Sequence, residues 1–417
     1  MHTVLTPDNC AADMKRVIAT AMANRQPAYI MVAQDMAEMP ITGPAVEPYS
    51  ELESDTDELK AAVEAALAKL QAAKTGCILP AFTVSRFGLQ AELAALVEAS
   101  GLPYATTAMD KAVISEGHPQ YLGGYAGKYS APNVVEAVEA SDVVINAGGV
   151  LFTDFSTAGF AHTIDPAKMI TIGIASTLID GRVYSNVRMR DMFVELARQV
   201  KKFTDVKLQR PSLAEVVGGP DDPITADSLY PRYQRFFKPD DIIILETGTS
   251  ASGAGVLLLP DGAVSHSQTL WGAIGWGTGA ALGTAVADQT RRTVLITGEG
   301  SHQLTANEIG SFARHGVKPV IFVLNNEGFG VERALEDYPD WVYNDLAPWG
   351  YHKLPAAMGC RDWFTAKVKT NGELEAAMQK ADEVDTASYI EIVAGKHDYP
   401  AGVKLFHTLT EQLYGMY

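Results

Sequence analysis

Between Gly298 and Asn326 the chain runs through an acidic glycine turn, a helical stretch, an apolar strand and an Asn-Asn pair, directly after another apolar strand. The order reads Thr293-Val-Leu-Ile-Thr297, Gly298-Glu-Gly-Ser301, a helix to His315, Pro319-Val-Ile-Phe-Val-Leu324 and Asn325-Asn-Glu-Gly328. Two short apolar runs joined through a helix predict neighbouring parallel strands, whose carboxyl ends open side by side on one crevice. Magnesium prefers six oxygens, commonly one or two carboxylates completed by phosphate and water. Glu299 offers a carboxylate, Asn326 a side-chain oxygen and Gly328 a backbone carbonyl. Gly300 and Ser301 present backbone N–H groups at a helix start, where anions bind favourably. Singly, each piece has an ordinary reading: Glu299 precedes an N-capping Ser301, and Asn325-Asn326 ends a strand. Together they can hold a divalent cation and a diphosphate.

This segment resembles the thiamine diphosphate signature, which usually opens Gly-Asp-Gly. Ser301-His-Gln-Leu-Thr-Ala-Asn-Glu308, Asn325-Asn-Glu-Gly-Phe-Gly-Val-Glu332 and Tyr343-Asn-Asp345 are similar, more narrowly, to the pyruvate and indolepyruvate decarboxylase group of 2-oxo acid decarboxylases. The resemblance implies thiamine diphosphate and Mg2+ as cofactors and non-oxidative decarboxylation of a 2-oxo acid, whether pyruvate, indolepyruvate, phenylpyruvate or a branched-chain acid, to an aldehyde and carbon dioxide. It implies metal ligation by Glu299, Asn326 and Gly328, and cofactor contacts from Gly300, Ser301 and Asn326. In Glu246-Thr-Gly-Thr-Ser250 it implies diphosphate contacts at Thr249 and Ser250, with Thr249 where pyruvate-specific members often carry Asp. The Gly272 carbonyl would accept the aminopyrimidine, and Ile274 would be the apolar wedge that bends the cofactor. Read without the family, residues 271–276 suggest a buried glycine-rich turn, and Gly277-Thr-Gly279 is not a dinucleotide motif because no strand directly precedes it.

Glu332 is expected on the first turn of a helix pointing into the site. An acidic residue there ordinarily just complements the helix dipole; the resemblance implies instead a catalytic role in handling the carboxylate and its protonation. Val331 matches a position lining the substrate pocket, where pyruvate-preferring members tend to carry Ile. One methylene is worth only about 1 to 3 kcal/mol of discrimination, and with Thr249 it points to a branched-chain or aryl acid.

Two departures from the family pattern stand out. Glu299 replaces the usual Asp, lengthening the arm by one methylene at a site that tolerates little displacement. Residues 1–42 resemble only the end of a pyrimidine-binding domain, with 27–33 expected as a buried strand and 35–40 as the exit from it. The upstream remainder of about 150 residues would carry the glutamate that activates the aminopyrimidine and a histidine pair. His2, His302, His315 and His352 lack the context for those roles. Little or no turnover by this chain alone is the expectation, with activity when a separately encoded pyrimidine-binding domain is supplied as a partner. Alternatives are a catalytically silent cofactor-binding subunit or a carboligase of the acetohydroxyacid synthase type.

The rest of the 417 residues alternate apolar strands and helical patterns, predicting an α/β protein with two doubly wound parallel-sheet domains. A Rossmann-like central domain is expected over 57–206 and a thiamine diphosphate-binding fold over 224–417, behind the 1–42 remnant. Linkers are expected over 40–57 and 207–223. Asn146-Ala-Gly-Gly149 with Phe152-Thr-Asp-Phe-Ser-Thr157 suggests a nucleotide cradle, but the resemblance implies a spacer domain whose glycine turn holds no ligand, so Asp154 is not a site candidate. The aromatic loop 335–349 suits a lid or, better, a subunit interface, and homo-oligomerisation is implied. A net charge of −17 disfavours nucleic acid or an anionic membrane as partner. Three scattered cysteines and no apolar run of about 20 residues fit a cytoplasmic protein without disulfides.

Overall fold

The computed structural model describes residues 5–42, 49–152, 162–204 and 208–403. The first sheet contains β1 (Gly76–Pro80), β2 (Tyr104–Thr106), β3 (Tyr121–Gly124), β4 (Val143–Ala147), β5 (Met169–Ile172), β6 (Ser176–Ile179) and β7 (Arg182–Ser185). Its order is β3-β2-β1-β4-β5-β6-β7, parallel from β3 to β5 and closed by an antiparallel β6–β7 edge.

The second sheet contains β8 (Ile242–Leu245), β9 (Val264–Ser267), β10 (Thr293–Gly298), β11 (Val320–Asn325), β12 (Phe364–Val368) and β13 (Ser388–Val393). It is parallel throughout, in the order β12-β13-β11-β10-β8-β9. Its strands are apolar runs because both faces are covered. Ile243, Leu245, Val294, Ile296 and Phe322 enter one core, while Ile242, Ile244, Leu295, Ile321 and Val323 enter the opposite one. From β8 the chain crosses one way to β9 and the other way to β10. That reversal opens a crevice at the carboxyl ends of β8 and β10, where ligands bind in sheets of this kind.

Several expectations need correction. Residues 27–33 form no strand, and Tyr29 is 84% exposed and Met31 73%. No described strand lies alongside to pair their backbone, so β-type sequence alone cannot make a ladder. The helix expected over 303–315 is broken into Glu299–Gln303, a 3-10 turn at Ala306–Glu308, and Ile309–Arg314. The purely parallel rhythm missed the β6–β7 edge, the short strands β3 and β9, and β12. Helix Ala226–Phe236, which the sequence reading does not include, forms with Pro231 inside it; a Thr225–Ser228 capping box starts the helix and most of its residues are buried. His2, Asp154 and the rest of 153–157 lie outside the described residues. Among the described residues, no helix is long and apolar enough to cross a membrane.

Candidate active site

β10 and β11 pair in register from Val294 with Val320 to Gly298 with Leu324, so their following turns leave the sheet together. Glu299, 2% exposed, starts helix Glu299–Gln303. One of its carboxylate oxygens, Oε1, accepts the N–H of Asn326 at 3.2 Å and that of Gly328 at 2.8 Å. The two turns therefore meet at hydrogen-bond distance, and the longer glutamate arm reaches the partner loop. Burial pushes the Glu299 carboxyl up to about 7, against the pull of the Gly328 and Asn326 N–H groups and the Arg333 guanidinium.

Arg333, which the sequence reading did not single out, is 1% exposed and clamps the second turn. Its Nη1 donates to the Asn326 carbonyl at 3.0 Å, and its Nη2 donates to the Glu327 carbonyl and to Asp345 Oδ1, each at 2.6 Å. Phe329 N–H donates to the Asn344 carbonyl at 2.9 Å. The Tyr343-Asn-Asp345 segment thus braces the Asn326–Gly328 loop. A Cβ on Gly328 would lie 2.1 Å from the Asn344 carbonyl oxygen and 2.2 Å from Arg333 Nη2, so only glycine fits.

The facing wall follows β8. Glu246 is fully buried; its carboxylate accepts Thr247 N–H at 3.1 Å and Gly277 N–H at 2.8 Å, fixing the turn into helix Thr249–Ala254. Burial raises its pKa, those N–H donors opposing. Tyr230 holds the turn from below, its hydroxyl donating to the Thr249 carbonyl at 2.8 Å. Thr249 and Ser250 are buried and face the cleft. The Gly272 to Ile274 segment completes the rim; it is exposed, with Trp271 at 79%, so the buried-turn reading of 271–276 does not hold. There Gly272 sits at φ +59°, and the Ala273 carbonyl accepts Thr247 Oγ1 at 3.2 Å.

These walls enclose a cavity of about 290 Å³. Gly300 and Ser301 line its floor. Val331 and the exposed Glu332, on the first turn of helix Gly330–Leu335, line its mouth. All the site residues expected from sequence border this one cavity. Of the histidines, His302 is buried against Thr278 Oγ1 at 3.0 Å, its pKa lowered by burial to about 4, and His352 Nδ1 lies 2.6 Å from Glu391; neither lines the cavity.

The donor set suits a cation-bound diphosphate. Ser250 Oγ and Asn326 Nδ2 are buried without a protein hydrogen-bond partner, an arrangement that ordinarily implies a ligand or water. A Cβ on Gly300 would meet Phe329 at 2.6 Å and Leu346 at 2.7 Å, so the N–H groups there are kept clear of side chain. Among the described residues no lysine, arginine or histidine lines the cavity, and a metal ion there would balance the charge of a diphosphate. No group of three or more His, Cys, Asp or Glu able to hold a metal occurs among the described residues. One carboxylate with amide and carbonyl oxygens is a magnesium-type set rather than a zinc-type one.

Phe329, Glu246 and Arg333 carried no separate sequence signal. A buried arginine next to an exposed glutamate on a one-turn helix is seen only once the loop is folded.

Comparison with known proteins bears on the family and the fold. Residues 63–195 match the thiamine pyrophosphate enzyme central domain, and residues 250–392 match the thiamine pyrophosphate enzyme C-terminal TPP binding domain. The chain is 32% identical over 402 residues to an alpha-keto-acid decarboxylase of Mycobacterium leprae, covering 95% of this chain and 70% of that protein. It is 34% identical over 407 residues to one of Mycobacterium avium, covering 95% and 71%. Its fold is similar to that of benzoylformate decarboxylase from Polynucleobacter necessarius, with a TM-score of 0.74 at 16% identity over 96% of this chain and 76% of that one. It is also similar to a protein from Mycobacterium smegmatis provisionally described as a thiamin diphosphate-dependent enzyme, with a TM-score of 0.71 at 21% identity over 94% of this chain and 75% of that one.

Proposed function

The chain belongs to the thiamine pyrophosphate-dependent alpha-keto-acid decarboxylase family, and from that premise we propose that it decarboxylates a bulky 2-oxo acid with Mg2+ as second cofactor. The observation that carries the reading is the meeting of the Glu299 turn with the Asn326–Gly328 loop beneath two unpartnered buried polar atoms. Glu299, the Asn326 side chain and the Gly328 carbonyl hold the cation; Gly300, Ser301, Thr249 and Ser250 hold the diphosphate oxygens. Gly272 and Ile274 orient the organic part of the cofactor at the rim. Bound thiamine diphosphate supplies an electron sink for the pair released when carbon dioxide leaves.

The chain's own residues supply orientation and placed charge. Glu332, solvent-exposed at the cavity mouth, is positioned to exchange protons with the reacting carbon side of the substrate as the aldehyde forms. Its negative charge also disfavours retaining a second carboxylate beside it, which favours loss of carbon dioxide. Val331 leaves room that an isoleucine would fill, supporting a branched-chain or aryl substrate. Homo-oligomerisation is part of this reading, supported by the exposed aromatics Tyr338, Trp341 and Tyr343.

The test is aldehyde and carbon dioxide release from pyruvate, phenylpyruvate, indolepyruvate and branched-chain 2-oxo acids. Slow product formation dependent on both cofactors is expected, faster on the bulky acids and lost in Glu332→Gln. Val331→Ile is expected to move the preference toward pyruvate. Equal or faster turnover of pyruvate by the natural chain would overturn the substrate reading; absence of cofactor-dependent product from every acid would overturn decarboxylation.

A further inference from the structure

The central sheet reaches into the second unit at one charged, fully enclosed point. The loop leaving β2 is anchored at home by Asp110, buried at 0% exposure, whose carboxylate accepts Phe82 N–H and the Thr107 hydroxyl, each at 2.6 Å. It then passes through Ala112, held at φ +58°, a left-handed conformation that a non-glycine residue adopts at some cost. On either side of that kink stand Lys111 and Glu116, 5% and 1% exposed, with Nζ and Oε1 at 2.7 Å.

Glu116 also bonds the Tyr121 side chain on β3, but both charged groups reach across to the second unit. Lys111 Nζ donates to the Leu257 carbonyl at 2.6 Å, and Glu116 Oε2 accepts Leu259 N–H at 2.8 Å. The gripped tripeptide alternates between the units: Leu257 and Leu259 lie in the core of the second sheet, while Leu258 packs on the core of the first. It follows directly from helix Thr249–Ala254, with Leu257 N–H donating to the Ala254 carbonyl at 3.2 Å. That helix carries Thr249 and Ser250 into the cavity.

A buried ion pair is poor stabilisation, because an apolar pair of similar volume often does as well. What this pair adds is register. A slip of the 257–259 tripeptide by one residue would separate the ammonium from its carbonyl and the carboxylate from its N–H, leaving two buried charges short of partners. The central unit therefore does more than space its neighbours.

We propose that Lys111 and Glu116 are positioning residues that set the height of helix Thr249–Ala254 and through it the affinity of the Thr249–Ser250 turn for the diphosphate. This rests on the reading of that turn as the diphosphate seat. The test is titration of the full chain with thiamine diphosphate in the presence of Mg2+, followed by intrinsic fluorescence, with hydrogen exchange measured on the ligand-free protein.

Glu116→Ala is expected to weaken cofactor binding at least tenfold. It should also speed exchange of the 249–259 amides at least tenfold, while β1 and β4 keep their protection. The apolar double variant Lys111→Met/Glu116→Leu, titrated at a temperature where its unfolding curve shows it fully folded, should still lose affinity at least tenfold, which a merely structural role would not produce. Glu116→Gln, which keeps an acceptor for Leu259 N–H, should recover most of the affinity lost in Glu116→Ala. Natural affinity in the apolar double variant, or faster exchange spread evenly over both sheets, overturns the proposal. No binding by the natural chain overturns the diphosphate reading itself, and this proposal with it.

Discussion

Two glycine turns end central strands of the two sheets, Asn146-Ala-Gly-Gly149 after β4 and Gly298-Glu-Gly-Ser301 after β10, and they use their polar groups in opposite ways. In the first, Asn146 Oδ1 accepts Val150 N–H at 2.6 Å, and the Thr83 hydroxyl donates to the Gly148 carbonyl at 2.5 Å. Gly148 and Gly149 turn sharply, at φ +98° and +80°, and the side chains of Asn146 and the neighbouring Thr83 bond the turn's backbone. In the second, Glu299 reaches across to another loop, while Ser250 Oγ and Asn326 Nδ2 border a cavity with no protein partner. A glycine turn becomes a candidate site when its surroundings leave polar capacity unspent.

The most severe test of that contrast is Arg333→Met. It removes the guanidinium that clamps the Asn326 and Glu327 carbonyls, and leaving buried acceptors unpaired costs about 1 to 3 kcal/mol each; Asp345, half-exposed, keeps its ion pair with Lys396. Denaturant unfolding should show that loss, and cofactor uptake should vanish even at temperatures where the variant is folded.

Next in size is the acid response of the second sheet. Glu391, fully buried on β13, accepts from Asn325 Nδ2 at 2.9 Å, Lys367 Nζ at 2.8 Å and His352 N–H at 3.1 Å. Burial alone would raise its carboxyl, but the Lys367, His352 and Asn325 bonds outweigh that and hold it down at about 2. A depressed folded pKa means that the unfolded chain binds the proton more readily. The contribution, on the order of 3 kcal/mol, is therefore present above the usual carboxylate range and lost as pH falls from about 4.5 through about 2. Unfolding free energies should fall over that window, and Glu391→Gln should flatten the dependence.

Gly300→Ala is expected to reduce affinity for the Mg2+–thiamine diphosphate pair at least tenfold, about 1.4 kcal/mol, because its methyl would press on Phe329 and Leu346. Fluorescence titration reads this directly. The smallest effect belongs to the central turn: Asn146→Ala should cost about 1 kcal/mol of stability and leave cofactor affinity unchanged. A comparable affinity loss there would erase the difference between the turns.

Much of this was legible in the residues. Strands β4 and β13 and the burial of β8, β10 and β11 follow from apolar runs that only a covered parallel sheet produces. The Glu299, Asn326 and Gly328 convergence follows from strand adjacency. Other features were not legible for physical reasons. Val264-Ser-His-Ser267 pairs as a strand because β8 offers it an edge, not because its residues favour one. Residues 27–33 show the reverse, with strand-forming residues and no described edge to receive them. Arg333 and the Lys111–Glu116 grip depend on loops distant in sequence, and no spacing rule anticipates either.

The central claim is that the turns ending at Glu299 and at Asn326 to Gly328 hold a divalent cation against a diphosphate. Calorimetric titration of thiamine diphosphate into the chain, with and without Mg2+, for the natural protein and Glu299→Ala, tests it most directly. The account predicts binding heat in the natural protein only when Mg2+ is present, and none in Glu299→Ala. Binding that ignores Mg2+, or that survives the substitution undiminished, would contradict it.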